Sequence, residues 1–227
     1  MTVHQLRRLT PPEEALIANA EAGLVDGDDA RRSAIATLRR DGLPHRRVEA
    51  WHYTDLKTLL RGIPEDAPAP MIEKRAALVS GAPIAYVMHG KAVDSEIEGF
   101  KIESYAESLT DGTAAAALVA ASKDDAIGRI NGSFVRDGLS VVVPDDADIE
   151  QPLELQAIHG AGQVHSRFPV TFGKGSKATI IERHLSVTDE AAFVSSVSEI
   201  EVQDGAEATY VILQQQGAAI SAACPIS

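Results

Sequence analysis

Apolar residues keep one spacing in the first third of the chain and another in the last. Near the N-terminus they recur three and four residues apart, the period of a helix with one face on a core. Thr10-Pro-Pro-Glu-Glu-Ala-Leu-Ile opens such a stretch with a hydroxyl N-cap and proline at the first helical position. Its acids sit in the first turn, facing the positive end of the helix dipole. The pattern predicts a helix to about Leu24, ending at the turn around Gly27. A second predicted helix, about Asp29 to Arg40, lines up Ala30, Ala34, Ile35 and Leu38 and closes with arginines and Gly42. Thr54 is read as the cap of a short helix through Leu60.

Beyond residue 70 the spacing shortens. Ile84-Ala-Tyr-Val-Met88 reads as a buried strand turning at His89-Gly90, and Phe100 to Tyr105 alternates as a half-buried strand does. Thr113 onward is a small-residue helix, and Asp125 to Asp137 another, or a helix followed by an Asn131-Gly132 turn. Then the chain repeats itself. Val170-Thr-Phe-Gly-Lys-Gly-Ser-Lys-Ala-Thr-Ile-Ile181 lines up with Ile200-Glu-Val-Gln-Asp-Gly-Ala-Glu-Ala-Thr-Tyr-Val211 thirty residues on, each copy a β segment, a turn ending at glycine (Gly175, Gly205) and a second β segment. A weaker copy lies at Val141-Val-Val-Pro-Asp-Asp146. A fixed period of this size marks a solenoid, whose turns bury their apolar sides only by stacking.

The fold class that follows is α+β: an N-terminal helical and mixed region, then the first rungs of a right-handed parallel β-helix (a β-solenoid). The expected divisions are 1–63, a helical region with a tryptophan motif; 64–70, a proline-extended acidic linker; 71–138, an α/β cap; 139–216, the rungs; and 217–227, an atypical tail. The rung pattern stops at Gln216, which reads as truncation or a frame shift and would leave the last strand edge unpaired.

Charge and cysteine content narrow the classes. With 21 basic and 33 acidic residues the net charge is −12, against nonspecific attraction to nucleic acid or an anionic membrane. One local basic patch stands out, Arg31, Arg32, Arg39, Arg40, Arg46 and Arg47, either a docking surface or a solvated helix face. The single cysteine, Cys224, permits no intrachain disulfide and fits a reducing compartment. No secretory leader and no run approaching the ~18 apolar residues of a membrane span is present, so a soluble, cytoplasmic protein is expected. No Gly-x-x-x-x-Gly-Lys-Ser/Thr run offers an ATP site.

Gly42-Leu-Pro-His-Arg-Arg-Val-Glu-Ala-Trp-His-Tyr-Thr-Asp-Leu56 is the densest run of unusual residues. Trp51, Tyr53, His45 and His52 form a binding patch, or else Trp51 and Tyr53 pin an irregular loop to the core with Glu49 and the arginines as local pairs; Glu49 with Asp55 is a carboxylate pair lacking a convergent partner. This run resembles a motif of the SufB/SufD family of iron–sulfur cluster assembly proteins. So does Ile130-Asn-Gly-Ser-Phe-Val-Arg-Asp-Gly-Leu139, followed by Val-Val-Val-Pro and Glu150-Gln-Pro-Leu153. His165-Ser-Arg-Phe, Ile181-Glu182 and Glu199 to Ala206 resemble the family's first rungs. The helical region beside the tryptophan motif is closer to the SufD branch. The signature residues are Glu49, Trp51, Tyr53, Thr54, Asp55, Asn131, Phe134 and Gly138. The resemblance implies a non-enzymatic scaffold that pairs with a SufB-like protein through β-helices and with a SufC-like ATPase. It implies no cofactor on this chain; the complex handles an iron–sulfur cluster and uses ATP through SufC.

Other chemistry has thinner support. His159, His165 and His184 fall in the repeat, where they are either an imidazole metal site suited to iron or zinc or surface histidines on turns. Cys224 is either a sulfur acceptor or cluster ligand or an incidental thiol. Val194-Ser-Ser-Val-Ser198 lacks a nucleophile elbow and reads as a polar solenoid face. Glu182 and Glu199 are the nearest pair for a carbohydrate-active β-helix, and a plain oligomerisation module without chemistry is the third class.

Overall fold

Glu13 explains how the N-terminal helices begin and what they enclose. The computed structural model describes residues 8–44, 48–53, 55–60, 62–71, 73–118, 122 and 125–225, in which five α-helices are assigned: α1 (Pro11–Ala22), α2 (Asp29–Asp41), α3 (Leu56–Leu59), α4 (Tyr105–Thr110) and α5 (Ala126–Phe134). The Glu13 Oε2 accepts from the Thr10 backbone N–H and hydroxyl, each at 2.7 Å, while its Oε1 accepts from the Leu43 N–H at 2.7 Å. One carboxylate thus ties a helix start to the chain just after α2. It is 1% exposed, with Lys57 Nζ at 3.4 Å, so its charge is compensated where burial would otherwise be costly.

Residues 1–63 and 112–134 form one compact unit, in which α2 packs on α1 and α5. Its interior holds Leu16, Ile17, Ala20, Ala34, Ile35, Leu38, Leu43 and Ile130. Arg31 takes the inward place beside this stripe and is 5% exposed. Its Nε and Nη2 donate to the Ser133 carbonyl at 3.3 and 3.2 Å, and its Nη1 bonds Asp28 at 2.7 Å. The basic patch is accordingly dispersed: Arg31 is buried, Arg39 pairs with Glu21 and Arg40 with Asp41, and Arg46 and Arg47 lie outside the described residues. Of the helix expected after Thr113, the described residues form a 3-10 turn, Thr113–Ala115, and further turn as far as residue 118; residues 119–121 lie outside the described residues. The Asn131-Gly132 pair lies inside α5 and makes no turn. The cap of α3 is Asp55, whose side chain accepts from the Thr58 N–H at 3.2 Å; Thr54, read as the cap from the sequence, lies outside the described residues.

Residues 64–111 and 135–227 form the second unit. Its strands are β1 (Ile84–Met88), β2 (Lys91–Val93), β3 (Lys101–Ser104), β4 (Leu139–Val143), β5 (Leu153–His159), β6 (Gly162–Phe172), β7 (Lys177–Ser186), β8 (Ala192–Val202), β9 (Glu207–Gln215) and β10 (Ile220–Ala223). They make two five-stranded sheets, ordered β2-β1-β5-β7-β9 and β10-β8-β6-β4-β3. From β4 onward, consecutive strands alternate between the sheets and pair in parallel with the strand two places on. Among the strand pairs of the described residues, β1–β2 and β3–β4 are antiparallel. The thirty-residue repeat is the register itself: Val170 lies opposite Ile200 and Ile181 opposite Val211. Leu139, Val141, Val143, Leu153, Leu155, Phe168, Val170, Phe172 and Ile180, drawn from both sheets, form one buried cluster. Apolar faces of two sheets closing on each other account for the stability of such a layer.

Three expected divisions are corrected. Residues 71–138 are not one cap: β1 and β3 extend the two sheets, while 112–134 belongs to the helical unit. Residues 64–70 carry no regular structure but are not a free linker. The Ala67 carbonyl meets His89 Nε2 at 3.2 Å, and a Cβ built on Gly160 or Gly162 would come within 2.6 Å of Pro70 or Ala67. The glycines at the β5–β6 bend are what let this segment lie flat on it. The pairing also continues past Gln216, since Ile220 to Ala223 run parallel to Ala192 to Ser195.

Candidate functional site

Beside the apolar cluster the second unit contains a polar interior. Strand β7 places Glu182 and His184 two residues apart, and alternate residues of a strand share a face; both are 0% exposed. Glu182 Oε1 lies 2.5 Å from His184 Nε2. Its Oε2 accepts from the Ser198 hydroxyl of β8 and the Tyr210 hydroxyl of β9, each at 2.5 Å. Three strands from both sheets therefore converge on one carboxylate. Cys224, in the segment after β10, follows Ala223, which pairs with Ser195 of β8.

Electrostatics follow from this arrangement. Burial alone pushes the His184 imidazole toward neutrality, but the Cys224 sulfur and the Glu182 carboxylate outweigh it and raise its pKa to about 10. Burial pushes Glu182 upward, and its bonds to His184, Ser198 and Tyr210 more than reverse that, leaving it below the usual carboxylate range. Tyr210 is held well above the ordinary phenol value by burial and by the adjacent Glu182. The site is an imidazolium–carboxylate pair fixed by two hydroxyls.

A second polar row lies along β6 and β8. His165 Nδ1 meets the Ser195 hydroxyl at 2.7 Å, Ser166 meets Ser196 at 2.8 Å, and Arg167, 2% exposed, lies 3.8 Å from Glu199. The serines of Val194 to Ser198 line both faces of β8, and Ser195, Ser196 and Ser198 are fully buried, so the polar face read from the sequence lies in the interior. A third group joins Glu154, Gln156 and Arg183: Glu154 Oε1 takes Gln156 Nε2 at 2.7 Å and Arg183 Nη1 at 3.2 Å.

The sequence-derived candidates are distributed among these groups. His159 is 2% exposed rather than on a surface turn. Its Nδ1 donates to the Gly160 carbonyl at 2.9 Å and its Nε2 accepts from Gln216 at 2.9 Å. Burial lowers its pKa, which suits that neutral ring. His184 is buried in the carboxylate cluster and His165 pairs with Ser195, so the three imidazoles have separate partners. Among the described residues no three or more His, Cys, Asp or Glu side chains are grouped to hold a metal ion. Glu182 and Glu199 do not share an open groove, because Glu182 is fully buried.

The tryptophan motif makes a 3-10 turn, Glu49–Trp51, with Glu49 exposed and Trp51 half-buried. Tyr53 does not pin the loop; it is 95% exposed, and its ring meets the His52 ring edge-on at 4.9 Å. Asn131 is buried on α5 and Phe134 half-buried at its end. Gly138 bridges Arg167, whose carbonyl would lie 1.8 Å from any Cβ there, so only glycine fits. Sequence reasoning did not connect Glu182 with Ser198 and Tyr210. The one local signal was an acid and a histidine on the same face of a strand as the apolar Ala178 and Ile180.

No helix among the described residues is long and apolar enough to cross a membrane. No match is found among curated proteins. Residues 156–224 match the family model described as SUF system FeS cluster assembly, SufBD core domain. That segment begins within β5, ends at Cys224, and contains the whole Glu182–His184–Ser198–Tyr210 cluster. The paired-strand region over residues 156–224 is thus similar to a SufBD core domain.

Proposed function

We propose that this chain is a scaffold subunit, without catalytic activity of its own, of a Suf-type iron–sulfur cluster assembly complex. The observation that carries the reading is the coincidence of the SufBD core match with the parallel thirty-residue register. In this reading the alternating sheets are the first coils of a right-handed parallel β-helix, and the chain belongs to the SufD branch. The iron–sulfur cluster is cargo of the complex. The partners are a SufB-like protein, engaged along the stacked strands, and a SufC-like ATPase that supplies the nucleotide chemistry, in keeping with a sequence that has no phosphate-binding loop. The compartment is the cytoplasm. The outer edges at β9 and β10, each paired on one side only among the described residues, also suit association with a second copy.

Co-expression with a SufB-like and a SufC-like protein, followed by affinity capture of the tagged chain, tests this. Stoichiometric retention of both partners through gel filtration is expected. A folded chain that elutes without either of them, with and without ATP, overturns the scaffold reading.

A further inference from the structure

The segment that lies on the β5–β6 bend continues along the outer face of the β1-β5-β7 sheet. Leu153 and Leu155 point into the apolar cluster, so Glu154 and Gln156 point away from it. The register sets Tyr86 and Arg183 on either side of Gln156. These side chains meet the main chain of residues 75–78. Gln156 Nε2 donates to the Arg75 and Ala76 carbonyls at 3.1 and 3.4 Å, and Arg183 Nη1 donates to the Ala76 carbonyl at 3.1 Å. Glu154 Oε2 accepts from the Leu78 N–H at 2.6 Å. Lys74 Nζ lies 4.7 Å from the centroid of the Tyr86 ring. The two sides of this seam differ. Glu154 and Gln156 are 0% exposed, whereas none of the described residues of 67–78 is buried and Met71 is 96% exposed. The strap thus brings backbone and no buried apolar side chain. Lifting it returns polar groups to water rather than uncovering an apolar face, so local opening is opposed by little besides these polar contacts. A carboxylate that takes an N–H, with an amide and a guanidinium that take carbonyls, reads an extended chain through groups every residue but proline carries.

We propose that Glu154, Gln156 and Arg183 form a binding site for an extended peptide segment, read through its main chain, and that residues 67–78 are a displaceable strap occupying it. The segment it fits has compact residues where Ala67 and Pro70 lie against Gly162 and Gly160, and a cation for the Tyr86 ring. A second copy offers only the segment already in place, which is tethered at high effective concentration. The occupant is therefore an extended segment of a different chain. The inference concerns this face alone and stands whether or not the chain binds Suf partners.

The probe is a fluorescein-labelled peptide of residues 64–80, added to the full chain and followed by fluorescence anisotropy. Leu78→Pro in the chain removes the N–H that Glu154 accepts and so weakens the hold of its own strap. That variant is expected to bind the peptide at least about ten-fold more tightly than the wild-type chain, whose strap competes. A peptide carrying Met71→Ser, Glu73→Ser and Val79→Ser, all exposed positions, is expected to bind within about three-fold of the original, and one carrying Leu78→Pro about ten-fold more weakly. A folded variant that binds no peptide overturns the proposal. So does one that binds the proline peptide as well as the original. Should the variant not fold, hydrogen exchange on the wild-type chain decides. The Leu78 amide is expected to exchange at least about ten-fold faster than the amides of β5; equal rates mean that the strap lifts only when the sheet unfolds, and overturn the proposal.

Discussion

Glu182 has two oxygens and three donors, and each donor comes from a different strand of the paired sheets. Removing its charge leaves the His184 imidazolium buried against neutral groups. Breaking one side of a buried ion pair costs about 3 kcal/mol or more, so Glu182→Gln is expected to lower the urea midpoint by a corresponding amount. A variant as stable as wild type would show that the pair adds nothing to folding. The pair also gives stability a pH course. His184 has its folded pKa raised from 6.5 to about 10, so its contribution is complete below 6.5 and declines as pH rises through 10. Glu182 is shifted down from 4.5, so its contribution is complete above 4.5 and is lost as pH falls through its lower folded value. His159, whose pKa burial lowers, acts against stability on the acid side of 6.5. The difference in stability between wild type and His184→Asn isolates the first of these: it is expected to be largest near pH 6 and to vanish toward pH 10, measured by denaturation at each pH. None of this was legible from the sequence, where polar residues alternating along a strand imply a solvated face. Ser196 and Ser198 on β8 and Glu182 and His184 on β7 alternate in that way and are all buried, as is Ser195 on the other face of β8, because the partners of these serines come from strands sixteen to thirty residues away.

The β-turns that join the strands were the most legible part of the fold, and the reason is conformational. Gly175 and Gly205 have φ of 63° and 74° and occupy equivalent places in adjacent repeats, with the Gly175 N–H bonded to the Asp204 carbonyl at 3.0 Å. A left-handed residue costs about 1–2 kcal/mol for any side chain with a Cβ, so the glycine recurs with the repeat and marks its period. The two positions differ in what surrounds them. A Cβ on Gly205 would meet nothing closer than 3.8 Å, whereas one on Gly175 would lie 2.7 Å from Asp146 Oδ1. Gly205→Ala is therefore expected to lose about 1 kcal/mol, and Gly175→Ala more, as the side chain of Asp146 is displaced. Equal losses in chemical denaturation would contradict this account. Helices α1 and α2 were legible for a similar local reason, since caps, first-turn acids and spacing all lie within one element. Strand β10 was not. Its residues, Ile220–Ala223, carry no turn signal of the earlier copies and are strand-like only because β8 offers them an edge. The assignment of 112–134 to the helices and of β1 and β3 to the sheets is equally non-local, decided by pairing across tens of residues.

The strand stack has an outermost member in each sheet, and these differ in how well they are guarded. Strand β10 covers four residues of β8, and β9 pairs with β7 on one side and, among the described residues, with no other strand. Along that end Val202 is 51% and Val211 44% exposed. Unpaired backbone donors and acceptors beside exposed β-branched side chains invite another strand, and proteins usually guard such edges with charge. Here Glu207 and Lys177 pair with each other at 3.3 Å, which leaves less net charge at the start of β9 to repel a second chain. With a net charge of −12 on the whole chain, long-range repulsion opposes association at low ionic strength and is screened as salt is added. The chain is therefore expected to self-associate with rising concentration, more so at high salt, and Val211→Lys, which sets a charge in the middle of β9, is expected to reduce this without altering thermal stability. Sedimentation velocity at two salt concentrations measures it. A chain that stays monomeric throughout, or a Val211→Lys variant that associates as wild type does, would place any contact between copies away from β9.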